Sequence, residues 1–410
     1  MGLGAAVMAE ATEAAARPLP IWLMGMGQIP LGATGAITLI TTPQLLAANH
    51  VPEPVIATVT SIALIPGFAA FLLAPLLDWR FRRKTYAMVF AALGAMFQLA
   101  ALLCIRDLTL LTTFLFLGFM SIALSTAAVG GWFGNMVPTE DKAALGSWFA
   151  VANIGGGGVV ATLAIPLLRD LPYALGAVLL SVPILLTLLL FWRVACPPAD
   201  RKLARESFAA FVRDVLALLR QPSVLWTLPL FLAPSASFAL TNTLGGLGND
   251  FHTSEKLVAL LGGLGATAAG VVGGLLMQAV AQRSKPRPLY LMVGLVGAAF
   301  TASLILMART PTTFGLAMLG ENFFQAAAFS VGNIIILRTI GHDNPLAATQ
   351  FGLLNAAYVV PIAYMQAMDG QAYGSGGANG SFLADAGVSG VVCVMLALVF
   401  WLWRRKVPAI

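Results

Sequence analysis

The chain has 410 residues, of which 59% are hydrophobic and only 10% are charged, and its formal net charge is +6. Soluble domains carry about 25% charged residues, so this composition excludes a soluble globular protein and indicates one that crosses a membrane many times. The three cysteines, Cys104, Cys196 and Cys393, give neither a disulfide framework nor the spacing of a metal site.

Windows of about 20 residues with almost no charge recur along the chain and predict twelve membrane-spanning helices. The predicted spans are 21–44, 54–77, 85–105, 108–132, 143–168, 171–193, 223–245, 257–281, 288–308, 312–337, 346–368 and 384–403. The longest polar interruption separates six spans from six and contains a basic amphipathic stretch, which we expect to lie on the membrane surface. The predicted fold class is therefore all-α, a polytopic membrane protein with two six-helix bundles.

This interruption also sets the predicted domain organisation. The expected units are a tail (1–20), a first six-helix bundle (21–195), a linker with the amphipathic helix (196–222), a second bundle (223–403) and a short tail (404–410).

The basic residues collect at one end of the predicted helices, which we call the basic end. Only Arg106, Arg169, Lys256 and Arg309 fall at the opposite end. The positive-inside rule then places the basic end and both termini in the cytoplasm. A basic chain can also bind nucleic acid, but these residues cap helices instead of forming a groove, so we expect no nucleic-acid partner.

The loop after the second span carries a recognisable pattern. The stretch "APLLDWRFRRK" (74–84) resembles the signature G-x-x-x-D-R-x-G-R-R/K of the major facilitator superfamily, with Asp78, Arg82 and Arg83 in register. The resemblance implies that superfamily's fold. An acid at a helix end that faces guanidinium groups can form a gating latch, closed in one state and broken in another. The alternative is that the basic residues serve membrane insertion alone.

A narrower resemblance rests on three stretches, "PGFAAFLLAPLLD" (66–78), "EN" (321–322) and "ATQFGLLNA" (348–356). They are similar to the AmpG-type permeases, in a branch that includes peptidoglycan-fragment, acetyl-CoA and siderophore transporters. This resemblance implies a monomeric, proton-coupled importer of a peptidoglycan fragment in the bacterial inner membrane. A siderophore is the alternative cargo.

Glu321 is the most unusual residue of the predicted spans. It lies about nine residues into its helix, or about 13 Å, close to half of a hydrocarbon core of about 30 Å. Other ionisable residues of the spans fall near helix ends, so the sequence predicts that Glu321 is isolated at the midplane. Burial without a cationic partner favours the neutral carboxyl, which suits reversible proton binding. The alternative is a neutral carboxyl that only hydrogen-bonds Asn322, Gln325 or a neighbouring helix.

The superfamily resemblance further implies that the first, fourth, seventh and tenth spans line a central cavity. Polar residues of these spans are the candidate proton- or substrate-binding residues: Gln28, Thr34, Thr38, Ser125, Asn242, Glu321, Asn322 and Gln325. For the hydroxyl groups, packing against neighbouring helices is the alternative role.

Other classes of membrane protein find less support in the sequence. A membrane-embedded enzyme needs a cluster of acids, histidines or a nucleophile, and a channel needs a filter-like loop. A sensor would normally bring a soluble domain, and ATP-driven transport needs a GxxxxGK[ST] motif. None of these features is found in the sequence. We therefore expect a transporter and not an enzyme, with a small molecule, protons and the lipid bilayer as partners and with no cofactor or metal.

Overall fold

The structure of the protein, a computed structural model, describes residues 19–194 and 208–403. The predicted N-terminal tail up to residue 18, residue 195, the first part of the linker (196–207) and the tail from residue 404 lie outside the described residues. We call residues 19–194 the first half and residues 222–403 the second half.

The first half contains six long apolar helices, joined by short loops. They are α1 (Ile21–Ala48), α2 (Glu53–Leu72), α3 (Arg83–Leu103), α4 (Leu108–Met136), α5 (Lys142–Asp170) and α6 (Tyr173–Arg193). Large apolar side chains such as Leu186, Leu189 and Trp192 stay more than half exposed on the outer surface of this half. That exposure is expected where a helix faces lipid instead of water.

The amphipathic stretch of the linker forms α7 (Phe208–Leu219), and α8 (Pro222–Leu232) follows it at an angle of 64°. The remaining long helices are α9 (Glu255–Arg283), α10 (Pro286–Ile305), α11 (Pro311–Ile340) and α12 (Ala347–Leu402).

The span predicted over residues 223–245 is wrong beyond Leu232. The backbone is extended at Ala233, and two 3₁₀ segments follow, Ala239–Asn242 and Leu244–Phe251. Two prolines explain the early end, because Pro229 lies inside α8 and Pro234 comes two residues after its last residue, Leu232. This crossing is therefore a short helix continued by irregular backbone.

Helix α12 is two crossings that meet at a glycine. Its 56 residues would extend about 84 Å as a straight helix, far more than one bilayer requires. Gly377 has φ +59° and ψ −152°, a conformation open almost only to glycine, and it separates two arms (347–376 and 378–402). The last span thus begins several residues before the predicted residue 384. With this division the predicted twelve-helix all-α fold is confirmed.

The glycine run of residues 155–158 brings α5 into very close contact with two other helices. A Cβ atom added at Gly32 of α1 would lie 1.8 Å from the carbonyl oxygen of Asn153, and one added at Gly157 would lie 3.0 Å from Gly32 O. On the other side of α5, an added Cβ at Gly158 would meet Thr267 of α9 at 1.8 Å. The run serves as an interhelical contact surface.

Candidate functional site: a central cavity and a latch

A cavity of about 360 Å³ lies between the two halves. Residues of α1, α2, α4 and α5 line it from the first half, and residues of α9, α11 and α12 line it from the second. Both π-helical turns of the described chain, Ile37–Thr41 in α1 and Leu261–Gly265 in α9, contribute to its wall. Such turns interrupt regular helices and often occur at functional sites.

Three of the eight predicted proton- or substrate-binding residues line this cavity: Gln28, Asn322 and Gln325. Gln28 is buried, and its Nε2 has no hydrogen-bond partner in the described chain. Asn322 donates to the carbonyl oxygen of Met318 one turn earlier (2.8 Å), while Gln325 donates to the hydroxyl of Thr241. The two amides of α11 are therefore held in place by their own half.

The structure places four of the other predicted residues away from the cavity wall. Thr34 Oγ1 donates to Gln98 Oε1 (3.0 Å), and Ser125 Oγ donates to Ala87 O (2.9 Å), so both join α3 to a neighbouring helix. Thr38 is fully buried outside the lining residues. Asn242 is exposed on the 3₁₀ segment after α8, where it donates to Gln366 Oε1 (3.3 Å).

Glu321, the eighth, lies just behind the cavity wall. Its neighbour Asn322 lines the cavity, whereas Glu321 is completely buried and accepts a hydrogen bond from the hydroxyl of Thr301 on α10. Its second oxygen, Oε2, has no hydrogen-bond partner in the described chain. The carboxyl group is thus shielded from the cavity and packed inside the second half.

The expectation that Glu321 is isolated from other ionisable residues is wrong. Asp369 and Asp385, on the two arms of α12, are 1% and 2% exposed and lie close enough to interact electrostatically with Glu321. Both oxygens of Asp369 and Oδ1 of Asp385 also lack hydrogen-bond partners among the described residues. The sequence placed these aspartates at helix ends because it did not show where α12 breaks and folds back.

At the basic end the halves are joined by the predicted latch residue Asp78. Asp78 Oδ1 pairs with Arg83 Nε at 2.7 Å. Its carboxylate also accepts hydrogen bonds from the backbone N–H of Ala348 (3.2 Å) and Thr349 (2.7 Å) and from the Thr349 hydroxyl (2.6 Å). An anion of the first half therefore caps the positive N-terminal end of α12 in the second half.

The two arginines of the predicted latch are not equivalent. Arg83 is buried and donates through Nη2 to the carbonyl oxygens of Asn344 (3.0 Å) and Pro345 (2.7 Å), which connects it to the loop between α11 and α12. Arg82 is half-buried, and its extended backbone precedes the first residue of α3. Arg83 is thus the arginine that joins the halves.

Lys142 forms a second contact between the halves, which the sequence did not predict. It is fully buried at the start of α5, and its Nζ donates to the carbonyl oxygens of Leu337 (3.0 Å) and Gly341 (2.7 Å). These carbonyls lie at the negative C-terminal end of α11. In the same region Asn135 Oδ1 accepts a bond from the backbone N–H of Asn344 (2.7 Å). Asp78 and Lys142 of the first half thus each cap a helix end of the second half whose partial charge is opposite to their own.

Sequence reasoning missed several polar residues of the cavity wall as site residues. The missed amides are Asn153, Asn333 and Asn355. Tyr358 also lines the cavity, and its hydroxyl is buried without a hydrogen-bond partner in the described chain. The signal that could have found them is their residue type, because an amide has several hydrogen-bonding positions to satisfy and is costly to place against lipid.

Among the described residues, no group of three or more His, Cys, Asp or Glu side chains is arranged to hold a metal ion.

Comparison with solved structures identifies the fold. The proton:xylose symporter XylE, bound to 6-bromo-6-deoxy-D-glucose, matches with a TM-score of 0.70 and 15% identity over 95% of both chains. The E. coli fucose:proton symporter FucP matches with a TM-score of 0.67 and 15% identity, over 93% of this chain and 98% of that one.

A bacterial homologue of the iron transporter ferroportin, in an outward-facing state, matches with a TM-score of 0.61 and 16% identity. That match covers 94% of this chain and all of the other. No family model and no curated protein matches the sequence. The chain therefore has the fold of the major facilitator superfamily and is a multi-pass membrane protein.

Proposed function

We propose that the protein is a secondary active transporter that works by alternating access. The observation that carries this proposal is the cavity between two halves, whose polar contacts at the basic end join helix ends of one half to those of the other. Such contacts can separate as a set when the halves rock, without disturbing the helix interiors. Breaking them would open the cavity toward the basic end.

We further propose that transport is coupled to protons through Glu321. The carboxyl is completely buried, and no lysine, arginine or histidine of the described chain forms an ion pair with it. An ionised carboxylate is costly in such a place, so the neutral form is favoured until water or a cation reaches it. Asn322 follows Glu321 on α11 and lines the cavity. A rotation of α11 would therefore change the surroundings of both side chains at the same time.

The direction and setting of transport rest on the sequence. The distribution of basic residues supports cytoplasmic termini, and the AmpG-like stretches support import across a bacterial inner membrane by a monomer. A peptidoglycan fragment is the first candidate cargo, and a siderophore is the second. An enzyme is not favoured, since Glu321, Asp369 and Asp385 are shielded from the cavity where a substrate would bind.

Uptake by purified protein in proteoliposomes tests this proposal. The candidate cargoes, a labelled peptidoglycan fragment and a ferric siderophore, are supplied with and without an inwardly directed proton gradient. We expect concentrative uptake of one of them only with the gradient. Equal uptake without the gradient would contradict proton coupling, and turnover of the cargo without translocation would indicate an enzyme.

Glu321→Gln gives the sharper test, because it keeps the shape and hydrogen bonding of a neutral carboxyl but cannot release a proton. We expect it to retain exchange of labelled for unlabelled cargo and to lose concentrative uptake. Glu53→Gln, at an exposed acid in the first turn of α2, is the matched control and should behave as wild type. Full concentrative uptake by Glu321→Gln would refute the coupling role.

A further inference from the structure

The described part of the cavity wall has no side chain that is charged at neutral pH. Among the described residues that line it there is no Asp, Glu, Lys, Arg or His. Glu321 is turned into the second half, and Lys142, Asp78 and Arg83 are engaged in the contacts at the basic end. Moving an ion from water into such a space costs several kcal/mol unless an opposite charge receives it. The wall therefore favours an uncharged ligand.

What the wall offers instead is a set of amides. Six of them come from four helices, α1, α5, α11 and α12: Gln28, Asn153, Asn322, Gln325, Asn333 and Asn355. An amide both donates and accepts hydrogen bonds, so it can pair with hydroxyl groups or with other amides whichever way the ligand turns. Groups that meet the ligand from both halves can hold it while the halves rock.

Two buried polar atoms in this wall have unused hydrogen-bonding capacity. Gln28 is 3% exposed and Tyr358 is 6% exposed, yet Gln28 Nε2 and the Tyr358 hydroxyl have no partner in the described chain. A buried polar group without a partner is costly, and this cost is recovered when a ligand supplies the missing hydrogen bond. These atoms stand on opposite halves, which points to a ligand that bridges them.

Aromatic rings complete the wall. Phe149, Phe329 and Phe351 line the cavity with Tyr358, and the rings of Phe329 and Tyr358 lie 5.3 Å apart. Their apolar faces suit C–H groups, while the amides suit hydroxyl and acetamido groups. The volume of about 360 Å³ is near the lower end of the range for small-molecule sites, about 300–1,000 Å³.

The described lining residues are uncharged, and they supply amides and aromatic rings around a small volume. From these features together, we infer that the cargo is a small uncharged saccharide that carries hydroxyl or acetamido groups. This inference rests on the proposed transport function. It restricts a peptidoglycan-derived cargo to an uncharged sugar and disfavours fragments or chelates that carry carboxylates.

Three sugars with one hexosamine skeleton test the inference by binding to the purified full chain in detergent. N-acetylglucosamine is uncharged, glucosamine carries an ammonium group and N-acetylmuramic acid carries a carboxylate. We expect isothermal titration to give a Kd for N-acetylglucosamine at least ten-fold below that of either charged sugar. Equal or tighter binding of a charged sugar overturns the inference, and so does the absence of binding by all three up to their solubility limits.

Variants separate binding in this cavity from binding elsewhere. Tyr358→Phe removes only the hydroxyl and should weaken N-acetylglucosamine binding at least five-fold, whereas Asn49→Ala, an exposed amide at the end of α1, should leave it unchanged. Asn333→Asp should shift the preference toward glucosamine by at least ten-fold, a gain that misfolding cannot produce. An unchanged preference in Asn333→Asp, or unchanged binding in Tyr358→Phe, would place the ligand outside this cavity and refute the inference.

Transport of the same sugars distinguishes the two proposals. If N-acetylglucosamine binds with the expected preference but proteoliposomes show no flux, the transport function fails while the assignment of the cavity stands. If a charged sugar is accumulated and N-acetylglucosamine is not, transport stands and the assignment of the cargo fails.

Discussion

Replacing Lys142 by methionine should open the basic end of the protein. The side chain is fully buried and donates to two carbonyl oxygens at the end of α11, Leu337 O and Gly341 O, across the boundary between the halves. Hydrogen bonds from a charged group contribute about 1.5–3 kcal/mol each, and methionine fills a similar volume without them. The closed form of the variant no longer has to bury an ammonium group, and the desolvation free energy that this saves offsets part of the loss.

We therefore expect the closed arrangement to lose about 2–4 kcal/mol relative to an open one. At about 1.4 kcal/mol per ten-fold change, the ratio of open to closed protein rises by roughly 30- to 700-fold. A cysteine that is reachable only in the open arrangement should be labelled faster by up to the same factor. The gain is smaller if the open form becomes the majority.

Ser147→Cys, in a background without the native cysteines, provides the reporter. Ser147 is fully buried on α5, five residues after Lys142, and its backbone faces Gly274 of α9 in the other half. Its labelling rate with a membrane-permeant maleimide is compared with and without Lys142→Met.

Lys84→Met is the matched control, because Lys84 donates to the carbonyl oxygens of Trp192 and Val194 (2.8 Å each), within the first half. It should lower stability without exposing the reporter. The reasoning is wrong, and Lys142 does not hold the halves together, if the reporter is labelled at the same rate with and without Lys142→Met. The same conclusion follows if Lys84→Met accelerates labelling as much as Lys142→Met does.

Two other substitutions have defined outcomes. Asp78→Asn breaks a buried ion pair with Arg83 and weakens the cap on α12. The same reporter should therefore be labelled faster, and stability should fall by about 3–5 kcal/mol in SDS denaturation. An unchanged labelling rate would argue against a latch. Gly377→Ala should cost about 1–3 kcal/mol of stability from backbone strain alone, since no atom lies within 4 Å of the added Cβ. Gly376→Ala, equally unobstructed but without a positive φ, should cost less, and equal losses would contradict the strain argument.

The features of the fold that could be predicted from sequence are those that depend on local composition. Hydropathy located the helices, because a bilayer requires about 20 apolar residues wherever a helix crosses it. Asp78 and Arg83 were found by their register in one short loop, and the structure brings them together at 2.7 Å. The helix predicted through residue 245 was wrong because apolar composition cannot distinguish a helix from the proline-broken backbone that follows Leu232.

The candidate site was harder to predict, because it depends on the direction in which each helix faces. Adjacent residues of a helix point about 100° apart, so Asn322 faces the cavity while Glu321 faces Thr301 inside the second half. Asp385 lies beyond the break at Gly377, and the folding back of the second arm places it within electrostatic reach of Glu321, as Asp369 of the first arm is. Hydropathy predicted two spans in this region, but neither the rotation of each helix nor the exact residue at which the chain turns back can be read from the hydropathy of a single sequence.

The glycine run of α5 has a consequence for how a rocking bundle can stay packed. Helices with large side chains interlock, and interlocked surfaces must separate before one can move along the other. On one side of α5, Gly157 packs backbone to backbone against Gly32 within the same half, where no movement is needed. On its other side, Gly158 receives the side chain of Thr267 of the opposite half. A single stretch of four residues therefore packs α5 on a helix of its own half and on one of the other half, and rocking must separate the second contact while it can leave the first intact.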